Sequence, residues 1–277
     1  MTEGMQPAER PGPRRSAASP ARADRLLNLT VALALSAIVL HRLSLPVADV
    51  DIWHEMALAR EIVATGHVPS RDSFAYTPTL PVVVHHEWGA GMIAYAASRL
   101  GGATGVLILR LALTAGLCWV CWLAATRRGA TMGLLRFTAI VAVLLADVGF
   151  ATVRAQQYSF LCAALLLLWL DRDRAGDGRW VWLWLPVTVL WANVHAGVTF
   201  GLGLLAAHTA EQWLRRRPAG RLVGIGAAMV GLMAVNPWGW RYYSYLWRAT
   251  TMPRPLVTEW APLLQAADPL RLALFVA

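Results

Sequence analysis

Two aspartates one residue apart, Asp49 and Asp51, stand where an apolar run ends, and Trp53, His54 and Glu55 follow at once. A carboxylate pair at that spacing can work in two ways. Its oxygens can share a divalent cation, or one carboxylate can take the proton from an attacking hydroxyl. Asp51 also sits where the N-cap of the next helix belongs, a role compatible with either chemistry. A second polar stretch reads His85, His86, Glu87, Trp88. Adjacent histidines cannot both point along one helix face, which argues against zinc. His54, His86 and Glu87 are better placed to touch a sugar or a phosphate. Arg154, Gln156 and Tyr158 stand at the end of another apolar run, and the planar fork of arginine suits a phosphate oxyanion. Asn193 and His195 close a further one.

These residues must be positioned by helices in lipid, because composition leaves little else. The chain has 277 residues, of which 57% are hydrophobic and 15% charged, against roughly 25% charged in a soluble domain. The formal charge of +9 is carried by arginine, since no lysine occurs. The arginines cluster in short loops between apolar runs, so they read as topology signals and not as a nucleic-acid footprint. A spanning helix needs about 20 apolar residues. Seven candidates appear, at 26–45, 104–125, 131–151, 159–170, 180–194, 198–213 and 222–236. An eighth begins at Leu270 and is cut off at Ala277, so the chain reads as a piece of a longer protein. The expected architecture is an all-α polytopic membrane protein with about 7–8 transmembrane helices. A disordered cytoplasmic tail is expected over 1–24 and the transmembrane domain over 25–277.

With the arginine-rich N-terminus inside, Arg127–Arg128, "DRDRAGDGR" at 171–179 and "RRRPAGR" at 215–221 also fall inside. The polar residues named above then fall outside, on a long first outer loop (46–102) and at the outer ends of later helices. The loop is expected to carry two amphipathic surface helices. One runs over 52–65, with Ile52, Met56, Ala59 and Val63 on its apolar face and Gly66 as its stop. The other runs over 87–100 and is closed by Gly101–Gly102. Cys118 and Cys121 have CxxC spacing but lie inside an apolar run with no sign of redox or metal chemistry, and Cys162 likewise reads as a small hydrophobe.

"DVDIWHEMALAREIVATGHVPSRDSFAYT" followed by "HHEWGAGMIAYAASRLGG" resembles the first outer loop of GT-C membrane glycosyltransferases. It is distantly similar to the dolichyl-phosphate-mannose protein mannosyltransferases. "RAQQYSFL" at 154–161 is similar to a family segment, with Ala155 where proline is usual. "WANVHAGVTFGL" and "NPWGWRYY" resemble two more, with Ala196 replacing a glycine in the first. The match covers roughly 26–263. The resemblance implies transfer of a sugar from a polyprenyl-phosphate donor to a hydroxyl of a glycan, lipid or protein. The reaction would occur on the outer face of the bacterial plasma membrane. It implies that one of Asp49 and Asp51 acts as base toward the acceptor or positions it. The other would help bind the donor phosphate, in some members through a divalent cation. Arg154 and Arg110 would be phosphate contacts.

Two competing readings are a transporter or lipid flippase without chemistry, and a non-catalytic assembly subunit. A transporter should place polar groups near the bilayer midplane, where Arg110, Asp147, His208 and Glu211 are the candidates. Arg110 and Asp147 lie at similar depth in neighbouring runs, and intramembrane charges are usually paired. Charge reversal at either position alone is therefore expected to impair folding, and the double reversal to restore it. Equal damage in the singles and the double, measured as folded yield from membranes, would sink the pairing.

Overall fold

A computed structural model of the chain describes residues 20–44, 50–76, 79–135, 138 and 153–253. Among these residues the structure is all-helical: α1 (Pro20–Ser44), α2 (Val50–Thr65), α3 (Trp88–Arg127), α4 (Gln156–Arg174), α5 (Val181–Val194), α6 (Val198–Leu214), α7 (Gly220–Leu232) and α8 (Arg241–Thr251). The helices α3 to α7 coincide with the apolar runs. Asp49, Asp147 and the run beginning at Leu270 lie outside the described residues, as does most of the expected 131–151 span.

Helix lengths correct the expectation of seven or eight spans. Among the described residues only α3 is long and apolar enough to cross a membrane by length and composition. Of the others at the expected places, α1 has 25 residues and α4 to α7 have 19, 14, 17 and 13, against about 20 for a span. α5 ends at Val194, where its apolar run ends and His195 is extended (φ −168°), and α7 ends at Leu232, four residues short of its run. The chain after α7 turns through Asn236, whose Oδ1 accepts from Trp238 N–H at 2.8 Å. A second correction concerns the N-terminus, where α1 begins at Pro20 and takes in the last residues expected to belong to the tail.

Helices are found at both places expected on the long loop. α2 buries Ile52, Met56, Leu58, Ala59 and Ile62, while Val63 is exposed. It stops at Gly66, which has φ +75° and donates to Ile62 O. α2 begins two residues earlier than expected, at Val50. Asp51 thus lies within the first turn, where its charge faces the unpaired N–H groups of the helix start. The 87–100 helix forms as well, but it does not end the element. At Gly101 and Gly102 the backbone leaves helical geometry, with φ +57° at Gly102, and a second arm then continues to Arg127.

The core runs along α5. Trp169, Trp184 and Trp191 stack edge to face, with centroids 5.6 and 5.9 Å apart, the arrangement that aromatic quadrupoles favour. Trp184 Nε1 donates to Met229 Sδ at 3.1 Å. Gly201 makes room for Trp191: a Cβ there would lie 2.6 Å from the indole ring. α1 stands apart, with Leu26, Leu27, Leu29 and Leu33 exposed.

At the end of the bundle away from α2, ionic contacts tie the helix ends together. Arg128 holds Asp171 through two 2.7 Å bonds. Arg174 bridges Asp171 and Glu211. Asp173, almost buried, gathers Trp180 Nε1, His208 Nε2 and Arg221. The acids of "DRDRAGDGR" are thus the joints between α3, α4, α6 and α7. Here α3, α4 and α6 all close by the same device, in which the residue after the cap turns left-handed and the next N–H reaches back five residues. Glycine takes the left-handed place at Gly129 and Gly176, but in α6 it falls to Arg216 (φ +55°). An L side chain costs about 1 kcal/mol there. Arg216→Gly is therefore expected to stabilise the protein by about that amount, read as a rise in the thermal unfolding midpoint.

Candidate functional site

The other end of the bundle gathers polar side chains from segments far apart in sequence. α3 starts at Trp88, which puts Glu87 at its N-cap position and leaves the Glu87 side chain free of capping. Two glycines let this helix start dock closely. A Cβ on Gly89 would lie 2.6 Å from the Asn193 carbonyl oxygen, and one on Gly91 2.5 Å from that of Glu55. Glu87 Oε1 then lies 3.2 Å from His86 Nε2 and 3.4 Å from His195 Nε2.

His195 is held from behind. Its Nδ1 lies 2.7 Å from Ser159 Oγ and accepts the Gly197 N–H at 2.8 Å. Ser159 Oγ itself accepts the Trp191 indole N–H at 2.7 Å. Because the Gly197 amide can only donate, Nδ1 must be an unprotonated acceptor. The Ser159 hydroxyl proton therefore also points to it. The ring proton is left on Nε2, directed at Glu87. Burial pushes His195 down to about 4, against the pull of Glu87. Burial works to raise the Glu87 carboxyl, but the His86 hydrogen bond and the charges of His86, His195 and Arg154 outweigh it and keep it below its ordinary value. Glu87 is thus an anion held between two imidazoles.

A second histidine pair lies alongside. His54 sits 3.5 Å from Glu55 and 3.9 Å from Asp72. The Glu55 carboxylate lifts His54 above its ordinary value, overcoming the effect of burial. His85 is buried, with Nε2 3.4 Å from the Arg71 carbonyl oxygen, and burial lowers its pKa. The rings of His54 and His85 are 6.2 Å apart, and Trp238 lies 6.3 Å beyond His85. On the far side, Tyr245 of α8 stands 5.0 Å from His86.

The candidates read from sequence come together unevenly. His54, His86, Glu87, Arg154 and His195 share this end. Arg154 joins Asp51 at 3.8 Å, so positive charge already stands beside Asp51. Among the described residues no group of three or more His, Cys, Asp or Glu is arranged to hold a metal ion. Asn193 is a bracket: its amide accepts from Trp88 Nε1 and donates to the carbonyls of Val189 and Val235. Gln156 opens α4 half-buried, while its neighbour Gln157 is the buried one. Tyr158 packs against the core with a buried hydroxyl. Arg110 is buried in the second arm of α3, about 12 Å along the helix from the kink. Cys118 and Cys121 are free and exposed on the same arm.

Sequence reasoning missed Ser159, Trp191, Asp72 and Tyr245, and named Glu55 without giving it a role. Ser159 and Trp191 stand in two of the segments that carry the family resemblance. Their spacing from Arg154 and His195 on a helix was the available signal. Comparison with protein-family models, with curated proteins and with solved structures gave no match.

The geometry carries a pH expectation. His195 has a lowered folded-state pKa, so the unfolded chain binds its proton first. Stability should fall as pH drops from 6.5 toward about 4. Glu87 acts in the same direction below the ordinary carboxyl range. Ser159→Ala leaves the buried Trp191 N–H without its acceptor, which costs about 1–3 kcal/mol. Unfolding midpoints across this pH range check both, and a flat profile would contradict the arrangement.

Proposed function

We propose that the chain is an integral membrane glycosyltransferase of the GT-C type. In this reading it is polytopic, with its N-terminus in the cytoplasm and its site on the outer face of a bacterial plasma membrane. It moves a sugar from a polyprenyl-phosphate donor to an acceptor hydroxyl of a glycan, lipid or protein. The observation that carries the reading is the polarity of the bundle: the histidine–carboxylate cluster with Arg154 gathers at one end, and the arginine-rich joints at the other. The surface between supports it. Ile108, Trp119, Trp122, Trp182, Leu183, Leu190 and Phe200 are exposed on the helices, an apolar surface larger than water-soluble proteins usually leave open. His208 and Glu211, which a midplane transport site would need, are bound into the joints at the opposite end.

In the proposed reaction the acceptor oxygen attacks the anomeric carbon as the bond to phosphate breaks, which inverts the configuration. The phosphate leaves with the electron pair, so little acid catalysis is needed. The protein supplies positioning, stabilisation of the phosphate charge and a place for the acceptor proton. Arg154, with Arg110 as a further candidate, meets the phosphate. Asp51 stands beside Arg154, and with Asp49 orients the acceptor or takes its proton. A divalent cation at the two aspartates is the alternative means of holding the phosphate. His54, His86 and Glu87 face the substrates.

Membranes containing the protein are expected to transfer radiolabelled sugar from polyprenyl phosphate to acceptor. Asp49→Asn and Asp51→Asn should each lower turnover about 100-fold or more. Asp51→Asn should scarcely change stability, because exposed ion pairs contribute about 0–1 kcal/mol. Wild-type turnover in both variants would remove the role assigned to the aspartates.

A further inference from the structure

The cluster contains four imidazoles, and their surroundings differ in a way that singles out one of them. His54 has a carboxylate at each ring nitrogen, Glu55 3.5 Å from Nδ1 and Asp72 3.9 Å from Nε2. His85 is buried, with Nε2 against the Arg71 carbonyl oxygen. His195 has its Nδ1 filled by Ser159 and Gly197, and turns its remaining nitrogen to Glu87. His54 and His195 thus have both ring nitrogens taken up, and His85 is too buried to meet a substrate. His86 differs. Its Nε2 is turned to Glu87 at 3.2 Å, and its side chain is 31% exposed. Tyr245 flanks its ring at 5.0 Å and His195 at 6.1 Å. With Nε2–H donating to the carboxylate, Nδ1 presents its lone pair.

We infer that His86 is the general base of the proposed transfer, with Glu87 as the positioning carboxylate behind it and His195 as the clamp that fixes Glu87. The inference rests on the glycosyl-transfer reading, and leaves Asp49 and Asp51 the positioning role. In the step, the acceptor O–H proton passes to His86 Nδ1 while the oxygen bonds to the anomeric carbon. The carbon–phosphate-oxygen bond breaks with its pair on the phosphate. The imidazolium is stabilised by Glu87 and returns its proton to water at its exposed edge. The side-chain set His86, Glu87, His195, Ser159 and Trp191 thus runs from solvent to the tryptophan core.

The test uses the protein in membranes with a panel of radiolabelled polyprenyl-phosphate hexoses and pentoses. His86→Gln keeps a donor toward Glu87 but cannot take a proton. It is expected to lower kcat at least about 100-fold with little change in donor KM. His86→Gly should lose the same activity and recover part of it when imidazole is added, a rescue that a purely structural role would not give. A His86→Gln enzyme with near wild-type kcat, or a His86→Gly enzyme that imidazole cannot restore, would overturn the assignment. Wild-type protein that transfers none of the donors would sink the glycosyl-transfer reading itself, before any His86 variant is read.

Discussion

The Ser159 hydroxyl has one proton and one direction in which to send it. Trp191 donates to its oxygen, so the proton must go to His195, and the Gly197 amide arrives at the same nitrogen. Three donors meeting two acceptors leave a single protonation pattern. It fixes the His195 tautomer, and with it the hydrogen aimed at Glu87. The pattern depends on close approach: a side chain on Gly197 would run into Ser159 and the His195 ring. The indole that starts the chain belongs to the tryptophan stack along α5. Packing in the apolar core therefore decides where a proton sits at the polar end. Hydrogen bonds in such a dry setting are strong when complete and costly when broken.

Charge is distributed over the two ends by different rules. At the arginine-rich end Asp171, Asp173 and Glu211 each hold a guanidinium partner from another helix or its end, and these acids act as joints. At the other end histidines take much of the arginines' part. Asp51 has Arg154 nearby, while Glu87, Glu55 and Asp72 rely on histidines. Arginine keeps its charge at any working pH, whereas imidazole can give its charge up. One end is therefore fixed electrostatically, and the other can change its charge.

Much of this was legible in the residues. Helix positions followed from the apolar runs, and Gly66 and Gly101–Gly102 marked real boundaries, because a glycine at positive φ is a local cause with a local effect. The apolar face of α2 was read partly correctly. Ile52, Met56 and Ala59 are buried, but Ile62 took the place assigned to Val63, since the rotation of a helix about its axis is set by its partner. The number of spans was overread, because several of the apolar runs are shorter than the about 20 residues that a span needs. His54, His86, Glu87, Arg154 and His195 could be named as polar residues on one side. That Asn193 brackets three segments, and that Ser159 supports His195, depended on contacts between residues far apart in the chain.

The bracket formed by Trp88 and Asn193 joins residues 105 positions apart. A ribosome adding about 5–20 residues per second needs roughly 5–20 s to cover that interval. During this time the start of α3 exists without the segment that holds it, and the Glu87 carboxylate has no His195 to face. Tyr245 arrives later still. The polar end therefore closes later than the helix that starts it, and before it closes Glu87 has no imidazole from the end of α5 to face. Assembly order alone thus separates the start of α3 in time from the contacts that later hold its polar groups.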